Sequence, residues 1–318
     1  MRIFMTGASG YIGRVVAEKA IQAGHTVRGL ARSEPAEQTL QALGVTPVIG
    51  DLNSLEALEK GAAEADAVLH LAFIHDWNVD YATVLQTDKQ AVEVLAGSLR
   101  GTNKPLVITS GTVVAAPDPR GEETDEWAPT SDTFVLKDRI KAERACLVLA
   151  KEGIRICALR LPPYVYGRGG SVFVPMLLRV AADAGVSAYV DDGMKRTSAV
   201  DVDDAARAYL LAAEKAEAGS VFNCTAETDI TTKSLAEAIG EAVAVPVRGK
   251  SRSEVEQLWG AFLTGFVDYE NRASSARLRT QLGWQPEATR GLLEDITQGS
   301  YRELAERLRN GRGDAARG

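Results

Sequence analysis

Cysteine is scarce. The chain of 318 residues holds 3, at Cys146, Cys157 and Cys224. They are odd in number, scattered, and form no C-x-x-C pair. That excludes a disulfide framework and a zinc site, and it fits a reducing, cytoplasmic setting with no metal. Long apolar runs are also missing. None approaches the roughly 18 residues a membrane span needs. Positive charge is in deficit, with 36 Lys and Arg against 43 Asp and Glu, a net charge of −7. A nucleic-acid or anionic-membrane binder would carry a basic stripe instead. The start, MRIFMTGASG, reaches glycine too soon for a secretory signal. No internal repeat of about 20–50 residues is visible. What remains is an ordinary globular composition, 45% hydrophobic and 25% charged, long enough for two domains. Glycine, at 29 residues, is slightly rich.

Short apolar runs alternate with helical stretches. Strand-like segments fall at Arg2–Thr6, His25–Ala31, Val45–Ile49, Ala67–Ala72, Leu106–Ser110 and Ile154–Leu161. Between them Arg14–Ala23, Glu34–Leu43, Leu55–Ala63, Val84–Leu99 and Arg139–Glu152 have helical character. Near-continuous apolar strands in βαβ order predict an α/β fold: a Rossmann-type, doubly wound parallel sheet covered on both faces, with a smaller C-terminal α/β substrate domain. The dinucleotide-binding domain is expected over 1–165, with 200–224 returning to it, and the substrate domain over 166–318. The polar end, 310–318, reads as a disordered tail.

TGASGYIG places Gly7, Gly10 and Gly13 between the first strand and the first helix. Gly7 permits a tight turn, Gly10 lets the backbone approach a pyrophosphate, and Gly13 lets helix pack against strand. The helix N-terminus then offers N–H donors to phosphates. Ser9, Tyr11 and Ile12 share this cofactor-binding turn. The second strand ends VRGLARS. Ala31 stands where an acidic residue would bind a ribose 2′-hydroxyl, and Arg32 follows, with Ser33 able to add a hydroxyl donor. A guanidinium suits a 2′-phosphate, so NADP(H) is the expected cofactor.

These motifs, with GDL (Gly50–Leu52), HLA (His70–Ala72), TSG (Thr109–Gly111), RLPPYVYG (Arg160–Gly167), VDVDDAA (Val200–Ala206) and LGWQP (Leu282–Pro286), run almost end to end. The chain resembles the extended short-chain dehydrogenase/reductase family, of the NAD-dependent epimerase/dehydratase type. The resemblance implies that Asp51 and Leu52 flank the adenine, and that Leu71, Ala72 and Phe73 line the diphosphate side. It adds Thr109 and Ser110 to the cofactor set, and places Leu161, Pro162, Tyr164 and Val165 beside the nicotinamide. It also implies a serine, and a tyrosine followed four residues later by lysine, as the catalytic set. Those positions here hold Gly111, Val135 and Arg139, and no tyrosine occurs anywhere in Ser131–Glu143. The chain is similar to atypical members that keep the cofactor fingerprint and lose the catalytic set.

Hydride transfer to a carbonyl still needs a proton for the developing alkoxide. Four replacements are open. Tyr164 follows the sixth strand, at the carboxyl end where ligands bind. His75 follows the fourth and can deliver a proton near neutral pH. Thr112 adjoins the lost serine position. Arg139 could hold the ribose as the lysine would. Beside His75, Asp76 and Trp77 could face a flat apolar substrate, and Arg196 is a further substrate candidate. The aromatic stretch Trp259, Phe262, Phe266 and Tyr269 reads best as core. Three activities stay open: an NADPH-dependent reductase of a C=O, C=N or C=C bond in a small organic metabolite; a non-redox isomerase, cyclase or dehydratase; and a non-catalytic NADP(H)-sensing regulator. A monomer and a homodimer are both compatible with the charged helices that relatives use to pair.

Overall fold

The computed structural model describes residues 1–75, 78–131 and 138–315. The first half is built from β1 (Arg2–Thr6), α1 (Tyr11–Gln22), β2 (Thr26–Ala31), α2 (Glu34–Ala42), β3 (Thr46–Ile49), α3 (Leu55–Ala63), β4 (Ala67–His70), α4 (Tyr81–Leu99), β5 (Pro105–Gly111), α5 (Asp138–Leu147) and β6 (Arg155–Leu161). β4 is buried at every position, and β6 at all but its first, as strands covered on both faces must be.

β7 (Tyr164–Tyr166), α6 (Phe173–Ala184), β8 (Ser187–Val190), β9 (Arg196–Asp201), α7 (Val202–Lys215) and β10 (Val221–Asn223) come next. They are followed by β11 (Glu227–Thr231), α8 (Thr232–Val243), β12 (Val247–Lys250), α9 (Arg252–Val267), α10 (Ala276–Leu282), α11 (Leu292–Gln298) and α12 (Arg302–Ala315). α12 runs through most of the segment that composition marks as a disordered tail. No helix among the described residues is long and apolar enough to cross a membrane.

Seven strands form one parallel sheet in the order β10-β6-β5-β4-β1-β2-β3. α7 and β10 do return to this sheet: α7 packs on α1, and β10 pairs with β6. The strand order reverses between β1 and β4, and a crevice opens there at the carboxyl ends. Residues of α1, α2 and α7 build the core on one face, and those of α3, α4 and α5 build it on the other. α10 adds Leu278 and Leu282 to the first of these cores, while α6, α8, α9, α11 and α12 close a second core over a three-stranded sheet, β11-β9-β7. The short strand β7 joins the two. Side chains alternate along a strand, so Val165 enters the first core while Tyr164 and Tyr166 enter the second.

Two motifs of the sequence meet in space. Asp204, fully buried in VDVDDAA, accepts hydrogen bonds from the backbone N–H groups of Glu287 (2.9 Å) and Ala288 (3.1 Å). Its own carbonyl accepts from the Trp284 indole at 2.9 Å. The LGWQP turn is thereby tied to α7.

Candidate functional site

The reversal point carries the glycine turn. Gly7 has φ +73°, and a Cβ there would lie 2.6 Å from the backbone N of Ala72, on the far side of the crevice. A Cβ on Gly13 would lie 2.0 Å from the Gly7 carbonyl oxygen. Any side chain at either position displaces backbone. Gly10 caps α1 in extended conformation, donating to Gly7 O at 3.0 Å. No side chain caps this helix, and its first turn holds no acidic residue. Its N–H donors are therefore left to an acceptor from elsewhere. A cradle that any Cβ would fill, open to uncapped donors, fits a dinucleotide diphosphate.

Arg32, just beyond β2, is exposed and makes no hydrogen bond or ion pair with the described residues. Ser33 caps α2, its hydroxyl accepting from Ala36 N at 3.4 Å. Asp51 closes the turn before α3: its carboxylate accepts from Asn53 N (2.9 Å) and from the Ser54 hydroxyl (3.0 Å), while staying exposed. Leu52 is buried in the core beneath it. Ser9 is half-buried, and Ile12 packs on the first core. Tyr11 does something unforeseen. Its hydroxyl donates to Gly167 O at 2.8 Å, and a Cβ on Gly170 would sit 2.2 Å from its ring. Tyr301 donates to Gly170 O (2.8 Å) and accepts from Gly167 N (3.1 Å). The second glycine loop is thus clasped onto the first.

The ends of β4 and β5 are wired together. Thr109 donates to His70 O at 2.9 Å and accepts from the Tyr209 hydroxyl at 2.7 Å. Buried His70 lies 2.9 Å from Thr6 Oγ1 through Nδ1 and 3.1 Å from Asp88 through Nε2. A carboxylate cannot donate, so Nε2 carries the proton and Nδ1 accepts from Thr6. Thr6 Oγ1 in turn accepts from Ala72 N at 3.2 Å. Leu71 and Ala72 pack half-buried on opposite cores.

Phe73 is a hub. The Arg139 guanidinium lies 3.9 Å from its ring centroid and donates to Thr109 O at 3.3 Å. His75 and Tyr81 meet the same ring edge-on, at 5.3 Å and 6.5 Å between centroids. Partial desolvation and the Arg139 charge hold the His75 imidazole below its ordinary pKa. α5 is charged along its length (DRIKAER), and a buried pair fixes it: Arg160 donates to both carboxylate oxygens of Glu143, at 2.9 and 2.6 Å.

The other candidates are already engaged or enclosed. Thr112 is fully buried and donates to Asn271 Oδ1 at 2.8 Å, so its proton serves the fold and not a ligand. Tyr164 is enclosed in the second core, its hydroxyl without a hydrogen-bond partner, and burial pushes its pKa far up. The pleat sets it on the opposite face from Val165, so β7 does not present both to one ligand. Leu161, Pro162 and Val165 are buried beside the first core. Arg196 bonds Glu270 (3.3 Å) and Gly121 O (2.7 Å), so its guanidinium is engaged in bridging the two halves of the chain. Asp76 and Trp77 lie outside the described residues, as does Val135. Phe266 stacks on Phe173 at 4.0 Å beside Val113, and α9 breaks at Gly260 to bring it there. Among the described residues no three His, Cys, Asp or Glu groups cluster to hold a metal.

Two features escaped sequence reasoning. His70 reads as a strand residue, and its partners lie 64 and 18 positions away. Tyr81 reads as loop because the apolar period of α4 starts at Val84. The missed signal is Asp80, whose carboxylate caps the helix by accepting from Thr83 N at 3.2 Å.

The comparisons agree with this geometry. The model of the NAD dependent epimerase/dehydratase family matches residues 3–225. The chain belongs to that family. An uncharacterized protein of Schizosaccharomyces pombe is 40% identical over 302 residues, covering 95% of this chain and 100% of the relative. A 4-hydroxy-2-methyl-3-oxo-4-farnesyl-3,4-dihydroquinoline-1-oxide ketoreductase of Stigmatella aurantiaca is 30% identical, over 71% of this chain and 68% of its own. Among solved structures, the UDP-glucose 4-epimerase of Thermotoga maritima superposes with a TM-score of 0.75 at 20% identity, covering 96% of this chain and 99% of the enzyme. Within the family this chain is an extended short-chain dehydrogenase/reductase.

Proposed function

We propose that this family member is an NADPH-dependent reductase of a C=O, C=N or C=C bond in a small organic metabolite. One observation carries the cofactor choice: Arg32 stands unpaired at the end of β2, where an acidic residue would select the 2′-hydroxyl. Gly7, Gly10 and Gly13 with the first turn of α1 would hold the diphosphate. Arg32 would hold the 2′-phosphate. Leu52 would lie under the adenine, and Leu161 and Val165 would border the nicotinamide. When bound, the reduced nicotinamide supplies the hydride equivalent. The chain's part is to orient the substrate, keep water out, and place a proton where the heteroatom's charge develops.

The reductive chemistry is supported by the ketoreductase relative, and the Phe73 ring with His75 and Tyr81 edge-on to it would suit an organic substrate. Arg139, stacked on Phe73 and bonded to the end of β5, takes the place of the ribose-holding lysine. The test has two parts. Dissociation constants for NADPH and NADH, read by nucleotide fluorescence, should favour NADPH. Reduced-nicotinamide absorbance should fall with at least one member of a ketone, imine and enone panel. Tighter binding of NADH would refute the cofactor assignment. Product formed without cofactor consumption would move the chain to the non-redox class.

A further inference from the structure

We propose that Tyr81 at the start of α4 is the proton donor of this site, acting with Arg139 and Ser110 in place of the serine, tyrosine and lysine that the chain lacks. The inference rests on the reductase reading and adds to it the group that completes the reaction.

Three observations converge. The Tyr81 hydroxyl is buried and has no well-aligned hydrogen-bond partner among the described residues, with Arg139 the cation within reach. Its ring sits edge-on to Phe73, the residue on which Arg139 is stacked. The Ser110 hydroxyl, at the end of β5, is likewise buried without a partner among the described residues, and it lines a small cavity together with Phe73 and Arg139. Buried donors left without acceptors are costly and uncommon in folded chains. Two of them around one guanidinium, at the carboxyl edge of a parallel sheet, are arranged for an acceptor that the chain itself does not supply. A substrate carbonyl oxygen is such an acceptor.

The electrostatics suit a donor. Burial raises the Tyr81 pKa, and the Arg139 charge and hydrogen-bonding reach work against that rise. The carboxylates of Asp138 on α5 and Asp88 on α4 push it up further. The phenol therefore stays protonated at neutral pH, as a group must that gives a proton away. His75 is less suited, because its lowered pKa leaves the imidazole neutral at the same pH. Tyr164 has no charged group acting on it; burial alone accounts for its shift.

The step balances as follows for a carbonyl substrate. The glycine turn and Arg32 would hold a reduced nicotinamide dinucleotide that would supply the hydride equivalent; as the carbonyl carbon gains its C–H bond, the C=O π pair moves onto oxygen. That oxygen takes the Tyr81 proton as the phenolic O–H bond breaks. The products are an alcohol, an oxidised nicotinamide and a phenolate held by Arg139, which water reprotonates. Ser110 donates to the same oxygen as its charge grows.

Tyr81→Phe and Arg139→Met test this, with His75→Ala and Tyr164→Phe as comparisons. Tyr81→Phe should lower kcat by about 10²–10⁴-fold. It should leave the NADPH dissociation constant within about twofold and the melting temperature equal or higher, since it removes an unpaired hydroxyl. A readout independent of turnover is the ultraviolet difference titration of wild type minus Tyr81→Phe, which isolates Tyr81. In an Arg139→Met background that titration should move to higher pH. An unmoved titration overturns the pairing. Retention of more than about a tenth of kcat in Tyr81→Phe, in an enzyme that does oxidise NADPH, overturns the donor role and leaves the reductase reading intact. Loss of turnover in His75→Ala or Tyr164→Phe, with Tyr81→Phe unaffected, overturns it in favour of those residues. Failure of wild type on every substrate refutes the reductase reading, and the titration still decides the Tyr81–Arg139 pair.

Discussion

The glycine turn and the Phe73 hub lie on the same carboxyl edge of one sheet, yet they are specified in different ways. At the turn, Gly7, Gly10 and Gly13 act through what they lack. Contiguous backbone creates the cradle, and the residues that matter sit within one short stretch. At the hub, Phe73, Tyr81, Ser110 and Arg139 come from four segments and act through what their side chains carry. A backbone site tolerates almost no substitution, so it persists in recognisable form. A side-chain site can be rebuilt from other positions, provided the groups still converge. The proposed donor set is a rebuilding of this second kind, beside a glycine turn that keeps its G-x-x-G-x-x-G form.

Breaking each region in turn should separate binding from chemistry. The largest effect is expected at the anchor of α5. Glu143→Gln leaves Arg160 buried with half its partner, and should cost about 3–5 kcal/mol in urea unfolding. Turnover should fall with it, because Arg139 rides on the same helix. Gly13→Ala strikes the other region. Its Cβ falls 2.0 Å from Gly7 O, and about 1–3 kcal/mol of stability should be lost through overpacking. Weaker NADPH binding should accompany that loss in fluorescence titration. Unchanged affinity would mean the turn is not the diphosphate site. Tyr301→Phe removes the acceptor for Gly167 N–H and the donor to Gly170 O. A loss of about 1–3 kcal/mol is expected for the unpaired buried group, with kcat unaltered at saturating cofactor. The smallest effect belongs to Arg32→Ala: roughly tenfold weaker NADPH binding, from lost charge-assisted bonds worth about 1.5 kcal/mol or more. NADH affinity should not move. If turn variants lower kcat alone, or hub variants weaken the cofactor alone, the division between the two regions fails.

How much the sequence discloses follows the same division. The succession of strands and helices in the first half, and the glycine turn between β1 and α1, were legible because local pattern carries them. So was the absence of tyrosine from Ser131–Glu143. Which side chains meet beside Phe73 was not legible. Tyr81 lay outside the helix that the apolar period defined, and only the Asp80 cap shows that α4 begins three residues earlier. Thr112 adjoins the family's serine position, but its acceptor, Asn271, is 159 residues away. Arg196 looked substrate-facing until Glu270 and Gly121 claimed it. Pairings across that much chain have no local signature. The resemblance sets Tyr164 and Val165 beside one ligand, where the pleat separates them.

The clasp formed by Tyr11, Gly167, Gly170 and Tyr301 has a consequence for how the chain is made. α1 leaves the ribosome well before residue 301. The nucleotide end of the sheet can pair its strands early, but the loop that braces α1 is locked only when Tyr301 has emerged and docked. Ligand-ready geometry thus comes later than the region it serves, and a nascent chain stalled short of residue 301 would carry an assembled sheet with an unlatched mouth.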